Sequence, residues 1–289
     1  MESGGLVRDE KWLGKRLQEV RKSRGFTQQS LCQKDGLSYS TLAKIERGAI
    51  KAPSIFTIQS IAGALGTTLD ELMGTPPPAE TPRQVTQSGV RFVYFDINGC
   101  LIQAGQRALT RIAADTNLPV DVVETAYWRF NDDACRGTMT MSDFNTAMAE
   151  RLRLASFDWQ KYYLDALDIV EPMHDLLKWA YERYQVGLLT NIMPGLLSAM
   201  RARGMIPDIN YHAVIDSSEV GLIKPEEAIF DLATERAGVA ASEILFIDDT
   251  HANLQAAERK GWHVLLFDGY RPEESVERAR TALEPKVSD

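Results

Sequence analysis

The chain is poor in the residues that build disulfide or zinc scaffolds. It has three cysteines and four histidines in 289 residues. The cysteines are odd in number and far apart, so they form neither a disulfide framework nor a zinc signature. The histidines lack the spacing of metal ligands. Reduced thiols are the default for such a composition, and we expect a cytoplasmic protein.

Long apolar segments are also missing from the sequence. No stretch reaches the roughly 18 apolar residues that a membrane-spanning helix needs. The first residues, MESGGLVRDEKW, have no apolar core, so we expect neither a signal peptide nor a membrane partner. What is present, 44% hydrophobic and 25% charged residues, is ordinary for a globular protein. The length predicts about two domains, at roughly 100–200 residues each.

Charge is distributed unequally along the chain. Residues 1–74 carry 11 basic and 8 acidic side chains, a net charge of +3, which leaves −11 for the remainder. A small basic part joined to a larger acidic part indicates different partners for the two. Nucleic acid is a candidate partner for the basic part only.

The clearest boundary in the sequence is the segment GTPPPAETPRQVTQS. It is rich in proline, threonine and glutamine and has no apolar periodicity, which is typical of an extended linker. The predicted organisation is a helical domain over 8–73, this linker over 74–88, an α/β domain over 89–275 and a tail over 276–289.

Five short helices are predicted before the linker. Leu13, Leu17 and Val20 share one helical face, and Leu69 and Leu72 begin the last helix. The helix before the last has an apolar stripe of Ile58, Ile61, Ala62 and Leu65. Two further helices are started by the N-caps Thr27 and Ser38 and separated by a turn at Gly36. Two helices joined by a tight turn form a helix-turn-helix, whose second helix enters the major groove of DNA.

Residues 8–73 resemble the phage-repressor-type (XRE or Cro-type) helix-turn-helix family. The matching positions are Thr27-Gln28, Leu31, Gly36, Ser38, Leu42, Ile45-Glu46-Arg47-Gly48, Pro53-Ser54 and Leu69-Asp70-Glu71-Leu72. The resemblance implies a double-stranded DNA partner. The expected DNA-facing residues are Gln28, Gln29, Ser38, Tyr39, Ser40, Lys44 and Arg47. We expect a homodimer, because such domains read paired half-sites.

After the linker, short apolar runs alternate with helical patterns. The predicted strands are 91–95, 186–190, 212–215, 244–247 and 263–267. This alternation favours a parallel sheet covered on both faces. Residues 104–168 interrupt it with helical patterns alone, which indicates an inserted helical subdomain. The expected fold is therefore multidomain: an all-α helix-turn-helix domain and a Rossmann-like α/β domain with a helical cap.

Polar residues follow the predicted strands. Asp96 follows the first and Thr190 ends the second, while Lys224 lies after the third and Asp248-Asp249 follow the fourth. Ligands of parallel sheets bind at the carboxyl ends of the strands. Mg²⁺ prefers one or two carboxylates together with phosphate and water, and a carboxylate can also be a nucleophile. A single Asp after a strand is more often a turn or a cap, but four such strand ends in order indicate a site.

The order of these residues resembles the haloacid-dehalogenase-like (HAD) superfamily, over about residues 90–275. The matching motifs are FVYFDINGCL, GLLTN, GLIKPEEAIF and ILFIDDTHANLQAA. The resemblance implies that Asp96 is the nucleophile of a phosphatase that uses Mg²⁺ and that the cap sets specificity. The catalytic residues expected from it are Asp96, Asn98, Thr190, Asn191 and Lys224, and the expected metal-site residues are Asp96, Asn98, Asp248 and Asp249.

Asn98 departs from the phosphatase pattern, which has an Asp two residues after the nucleophile as general acid and base. An amide cannot transfer a proton at neutral pH, and loss of such a group costs about 10²–10⁴-fold in rate. The backbone carbonyl of Asn98 can still ligate Mg²⁺. The dehalogenase branch has an aromatic residue there and no metal, so Asn98 does not match it either. Cys100, where Thr or Val is usual, is most simply a packing residue.

These features predict a DNA-binding transcriptional regulator with a HAD-type domain that binds a phosphorylated small molecule. That domain is either a slow Mg²⁺-dependent phosphatase or a ligand sensor. The alternative is a phosphomonoesterase whose helical module serves only for assembly or protein interaction. A third interpretation, an interaction protein with both sites retired, is disfavoured by the intact Asp96, Thr190, Lys224 and Asp249.

Overall fold

A computed structural model describes residues 12–24, 26–35, 38–50, 53–65, 67, 84–103 and 105–286. The chain divides into two compact units, Met1–Thr81 and Pro82–Asp289. The described part of the chain contains no helix long and apolar enough to cross a membrane.

Four helices are described in the first unit. They are α1 (Trp12–Ser23), α2 (Gln28–Asp35), α3 (Tyr39–Glu46) and α4 (Ile55–Leu65). Their buried residues, among them Leu17, Leu31, Leu42 and Ile61, form one hydrophobic core. The helix predicted at Leu69 and Leu72 lies outside the described residues, as do Gly25 and Gly36.

Side-chain caps start the two central helices of this unit. The Thr27 hydroxyl accepts a hydrogen bond from the backbone N–H of Ser30, at 3.0 Å, just before α2. The Ser38 hydroxyl accepts one from the N–H of Thr41, at 3.2 Å, just before α3. Each cap satisfies one of the N–H groups that a helix start leaves unpaired. Both capping residues are the ones that the sequence predicts.

The second unit is an α/β fold with a helical insertion. Its strands are β1 (Phe92–Phe95), β2 (Ile102–Gln103), β3 (Asp168–Ile169), β4 (Gln185–Thr190), β5 (Ala213–Asp216), β6 (Ile244–Asp248) and β7 (His263–Leu266). Its helices are α5 (Gly105–Thr116), α6 (Val120–Cys135), α7 (Met141–Leu152), α8 (Trp159–Asp165), α9 (Glu171–Tyr181), α10 (Leu196–Ala202), α11 (Ser217–Val220), α12 (Glu227–Ala237), α13 (His251–Arg259) and α14 (Pro272–Ala282).

The main sheet has the order β5-β4-β1-β6-β7, and every neighbouring pair is parallel. Side chains of β1 alternate between two hydrophobic cores, one on each face: Val93 and Phe95 belong to one, Phe92 and Tyr94 to the other. A strand buried on both faces must be apolar throughout, which explains the continuous apolar runs in the sequence. The predicted doubly covered parallel sheet is confirmed.

The helical insertion comprises α5 to α8, between β2 and β3. These two short strands pair antiparallel, with Ile102 opposite Ile169 and Gln103 opposite Asp168. Both connections between the insertion and the sheet therefore run side by side. The sequence predicts this insertion as the segment 104–168.

The structure corrects two of the predicted boundaries. Residues 84–88, assigned to the linker, are already held by the second unit: the N–H of Gln84 donates to the carbonyl of Arg183, and Thr86 pairs with Pro285. The predicted tail contains most of α14, whose Ala279 is buried in the core, followed by buried Leu283. Composition alone does not reveal hydrogen bonds between distant parts of the chain, which is why the sequence assigns these residues to a linker and a tail.

Candidate functional site

The polar residues predicted at the strand ends meet at one edge of the sheet. Asp96 directly follows β1, Thr190 is the last residue of β4, and Asp248 is the last residue of β6. Lys224 lies in the loop between α11 and α12. Since β4, β1 and β6 are neighbours and parallel, their carboxyl ends bring these side chains together.

One buried ammonium group joins two buried carboxylates at the centre of the site. Nζ of Lys224 lies 2.9 Å from Oδ1 of Asp96 and 2.6 Å from Oδ2 of Asp248. Burial alone would lower the pKa of Lys224, but the charges of Asp248 and Asp96 raise it above its ordinary value, so the ammonium stays charged. Burial raises the pKa of Asp96 to about 7, against the opposing charge of Lys224. With two carboxylates and one ammonium, the site has a surplus of negative charge.

Asp248 is fully engaged by protein groups. Besides Lys224, it accepts hydrogen bonds from the N–H of Thr250, at 2.7 Å, and from Nδ2 of Asn253, at 3.1 Å to each oxygen. Four such bonds fill the acceptor capacity of a carboxylate. Asp248, which the sequence places among the metal-site residues, thus holds Lys224 and the start of α13 in this structure. Asn253 is part of the motif ILFIDDTHANLQAA, but the sequence does not reveal that it donates a hydrogen bond to Asp248.

Asp249, which is exposed, and Asp96, which is buried, offer a second group of oxygen atoms. Carboxylate oxygens of these two residues and the sulfur of Cys100 lie within 4.8 Å of one another. Gly99 makes this arrangement possible. Its φ is +94°, and a Cβ there would lie 2.0 Å from Oδ2 of Asp249. Desolvation, together with the charge of Asp248, raises the pKa of Asp249. Burial raises the pKa of the Cys100 thiol well above its ordinary value, as do the neighbouring carboxylates.

Thr190 and Asn191, both predicted to hold phosphate, differ in what their side chains do. The Thr190 hydroxyl is buried and has no hydrogen-bond partner among the described residues. A buried hydroxyl without a partner is costly and indicates a ligand position. The Asn191 side chain donates to the backbone carbonyl of Lys224 and accepts from its N–H, both at 2.8 Å. It therefore positions Lys224.

The side chain of Asn98 is hydrogen-bonded on both sides. Its Nδ2 donates to the backbone carbonyl of Asn191 at 2.9 Å, and its Oδ1 accepts from the hydroxyl of Tyr163. Tyr163 belongs to α8 of the insertion and is buried. No sequence signal identifies Tyr163, because it is 65 residues away from Asn98 along the chain.

In the first unit, most predicted DNA-facing residues are exposed at the start of α2 and on α3. The exposed ones are Gln29, Ser38, Tyr39, Ser40, Lys44 and Arg47. Gln28 differs from them. It is half-buried, and its Nε2 donates to Glu46 at 2.7 Å. Glu46 also accepts two hydrogen bonds from Arg21, at 2.6 and 3.0 Å, so Gln28 is part of a buried ionic network between α1, α2 and α3.

Two family models match separate parts of the chain. The model described as a helix-turn-helix matches residues 17–72. The model described as a haloacid dehalogenase-like hydrolase matches residues 90–261, which is more than half of the chain.

Curated relatives cover one or the other part. Phosphatase MT3486 of Mycobacterium tuberculosis (strain CDC 1551 / Oshkosh) is 25% identical over 187 residues, which are 61% of this chain and 86% of that protein. Acyl-CoA dehydrogenase family member 10 of Mus musculus is 23% identical over 205 residues, 67% of this chain, and the chain spans only 19% of its length. The immunity repressor protein of Bacillus phage phi105 is 42% identical over 62 residues, 22% of this chain and 42% of that protein.

Solved structures share the fold of the second unit. A HAD family enzyme from Bacteroides thetaiotaomicron, in complex with magnesium and inorganic phosphate, has a TM-score of 0.53 at 21% identity, covering 63% of this chain and 96% of its own. A protein from Porphyromonas gingivalis described as a predicted HAD-like family hydrolase has a TM-score of 0.58 at 23% identity, covering 68% of this chain and 99% of its own.

Proposed function

The chain belongs to the haloacid dehalogenase-like hydrolase family over residues 90–261 and carries a helix-turn-helix domain over residues 17–72, and on this premise we propose that it is a DNA-binding transcriptional regulator with a phosphate site. In this proposal the second unit binds a phosphorylated small molecule and hydrolyses it slowly. The supporting observation is the buried Asp96–Lys224–Asp248 cluster, together with the buried hydroxyl of Thr190, which has no hydrogen-bond partner in the described part of the chain.

The cluster suits phosphoryl transfer to a carboxylate. A carboxylate oxygen of Asp96 attacks the phosphorus atom, and the bond between phosphorus and the ester oxygen breaks. Lys224 balances the negative charge of the phosphoryl group, and the Thr190 hydroxyl donates a hydrogen bond to one of its oxygens. A water molecule then attacks the phosphorus atom of the aspartyl phosphate, which releases inorganic phosphate and regenerates Asp96.

The carboxylates of Asp96 and Asp249 suit Mg²⁺, which prefers carboxylates and water. Asp96 and Asp249, with the backbone carbonyl of Asn98, are the residues that would hold it. The ion would supply positive charge to the phosphoryl oxygens. Asp248 is proposed to support the site through Lys224, since its own oxygens are already hydrogen-bonded.

Asn98 makes this hydrolysis slow. The oxygen of the leaving alcohol needs a proton, and the next water needs to lose one. An amide provides neither, so both protons are exchanged with solvent. The expected rate deficit is about 10²–10⁴-fold relative to a site with a general acid and base. A site that hydrolyses its ligand slowly leaves the ligand intact, which suits a sensor.

The first unit is proposed to bind double-stranded DNA as a homodimer. The exposed start of α3, with Tyr39 and Ser40, is where a recognition helix meets base edges, and Lys44 is exposed one turn further along. If the phosphorylated ligand regulates this unit, DNA must change the affinity for the ligand by the same factor as the ligand changes the affinity for DNA. Equal affinities with and without the ligand would reject the regulatory part of the proposal.

The direct test is Mg²⁺-dependent phosphate release from a panel of phosphorylated metabolites, by wild type and by Asp96→Asn. Release by the wild type that is absent in the variant supports slow hydrolysis. Retained binding of inorganic phosphate without release supports a sensor. If the wild type neither binds inorganic phosphate nor releases it from any substrate, the phosphate site is rejected. The alternative, a phosphomonoesterase with a helical assembly module, predicts release together with no salt-dependent binding to DNA.

A further inference from the structure

The orientation of the Asn98 amide follows from its neighbours. The backbone carbonyl of Asn191 can only accept a hydrogen bond, so the amide nitrogen must face it. The amide oxygen then faces Tyr163, whose hydroxyl must be the donor. The donor and the acceptor of both hydrogen bonds are therefore fixed: Asn98 donates to Asn191 and accepts from Tyr163.

A carboxylate cannot make this pair of contacts. An ionised Asp in place of Asn98 accepts from Tyr163 but has no hydrogen to donate to Asn191, and it turns an oxygen toward the carbonyl oxygen. An amide is the isosteric group that donates on one side and accepts on the other. Asn98 is thus fitted to join three segments of the unit: the loop after β1, the residue after β4, and helix α8 of the insertion.

Tyr163 is held rigidly within the insertion. Its ring centroid lies 5.7 Å from that of Trp159, which in turn packs at 4.7 Å from Tyr127 of α6. A side chain packed in this way moves with the helices that surround it. The bond of Tyr163 to Asn98 therefore ties the insertion as a body to the nucleophile loop, two residues from Asp96.

We propose that Tyr163 is a positioning residue, which through the side-chain amide of Asn98 keeps the insertion closed beside Asp96 and so controls entry to the phosphate site. Residue 98 acts in this closure and not in proton transfer. The insertion also touches the sheet domain elsewhere: Arg136 pairs with Glu226, and the Ser217 hydroxyl donates to the carbonyl of Cys135. Those contacts involve the end of α6. Helix α8 itself meets the sheet domain at two further points: Asp165 lies 3.5 Å from Nη1 of Arg203, and the Tyr163 hydroxyl lies 4.0 Å from the sulfur of Met200.

The contact is tested by hydrogen exchange on the full chain without ligand, in a double-substitution cycle of Asn98→Ala and Tyr163→Phe. Each single substitution should speed amide exchange in α8 by about three- to tenfold, the factor that one neutral hydrogen bond is worth. The double variant should exchange no faster than the faster single variant, because both remove the same contact. Tyr162→Phe is the matched control, since its hydroxyl interacts with Asp115 inside the insertion. Tyr162→Phe should leave exchange at 97–101 unchanged, whereas Tyr163→Phe should also speed exchange there.

Wild-type exchange in Tyr163→Phe, or effects of the two substitutions that multiply, would overturn the proposal. Tyr163→Phe removes one oxygen atom, so it decides the matter even where Asn98→Ala does not fold.

The inference rests on the proposed function in one respect, that phosphate is the entering group. A stopped-flow measurement with Mg²⁺ and inorganic phosphate addresses this: association should be about three- to tenfold faster in Tyr163→Phe, which loss of structure alone does not produce. An unchanged association rate overturns the proposal that Tyr163 controls entry to the phosphate site. Absence of phosphate binding in the wild type rejects the proposed function, while the exchange cycle still decides the contact.

Discussion

Nζ of Lys224 lies 2.6 Å from a carboxylate oxygen of Asp248, and both side chains are almost completely buried. The same nitrogen lies 2.9 Å from Asp96. A buried charge is tolerated only when it is paired, so the three groups depend on one another. This dependence connects the stability of the second unit to the chemistry of its site.

Removing the ammonium should therefore weaken the fold as well as the site. Lys224→Met leaves Asp96 and Asp248 buried without their counter-charge, and we expect a loss of about 3 kcal/mol in the free energy of unfolding at pH 8. Denaturant titration followed by tryptophan fluorescence measures it, since Trp128, Trp159, Trp179 and Trp262 all report on this unit. Lys260→Met, which removes an exposed pair with Asp231, should change the midpoint little. Equal effects of the two substitutions would contradict the prediction.

The pKa of Asp96 gives a pH-dependent prediction. Burial raises it to about 7, so below pH 7 the folded state holds a proton that the unfolded chain releases near pH 4. This contribution to stability is complete below about pH 4 and is lost as the pH rises through about 7. Asp96→Asn should then increase the free energy of unfolding by about 2–3 kcal/mol more at pH 8 without metal than at pH 5, since each unit of pKa shift is worth ~1.4 kcal/mol.

Thermal unfolding of wild type and Asp96→Asn at the two pH values provides the measurement. A variant less stable than wild type at pH 8 would mean that the attraction between Lys224 and Asp96 outweighs burial. Mg²⁺ should stabilise the wild type more than the variant, because an ion that binds only the folded state adds to stability.

Gly99 and Gly89 form a matched pair for testing the close approach to Asp249. Their φ angles are +94° and +93°. A Cβ at Gly99 would lie 2.0 Å from Asp249, whereas a Cβ at Gly89 would have no described atom within 4 Å. Ala at either position adds about 1–2 kcal/mol of backbone strain. Only Gly99→Ala displaces the Asp249 carboxylate. We expect calorimetry to show Mg²⁺ affinity at least about tenfold weaker in Gly99→Ala alone, the equivalent of ~1.4 kcal/mol. Similar affinities in both variants would separate Asp249 from metal binding.

Lys44 tests the nucleic-acid proposal. Its side chain is exposed on α3, so a phosphate contact there should release about one counterion. Lys44→Gln should reduce the magnitude of the negative slope of log affinity against log salt by about 1 on mixed-sequence duplex DNA. Lys286→Gln, exposed in the second unit, should leave the slope unchanged. No binding of the wild type at low salt would favour the assembly role of the helical unit.

The residues of the candidate site that the sequence predicts are those that follow strands. Asp96, Thr190 and Asp248 could be placed together because apolar runs locate the strands and parallel strands share one edge for their carboxyl ends. The caps Thr27 and Ser38 were predictable for a similar reason, since a cap acts within three residues of the chain.

Roles that depend on distant partners were not predictable. Gln28 faces Glu46, Asn191 holds the backbone of Lys224, and the four hydrogen bonds of Asp248 are known only from the folded chain. Sequence places these residues near a site, but the partner that each one takes depends on packing.

Asn98 shows the division most clearly. The sequence by itself determined that this position lacks a proton donor, because an amide does not titrate near neutral pH. Only the tertiary structure decided what the amide does instead, since Tyr163 reaches it from a helix 65 residues away. Local patterns are set by residues a few positions apart, whereas contacts between the insertion and the strand ends form only when the whole unit has packed.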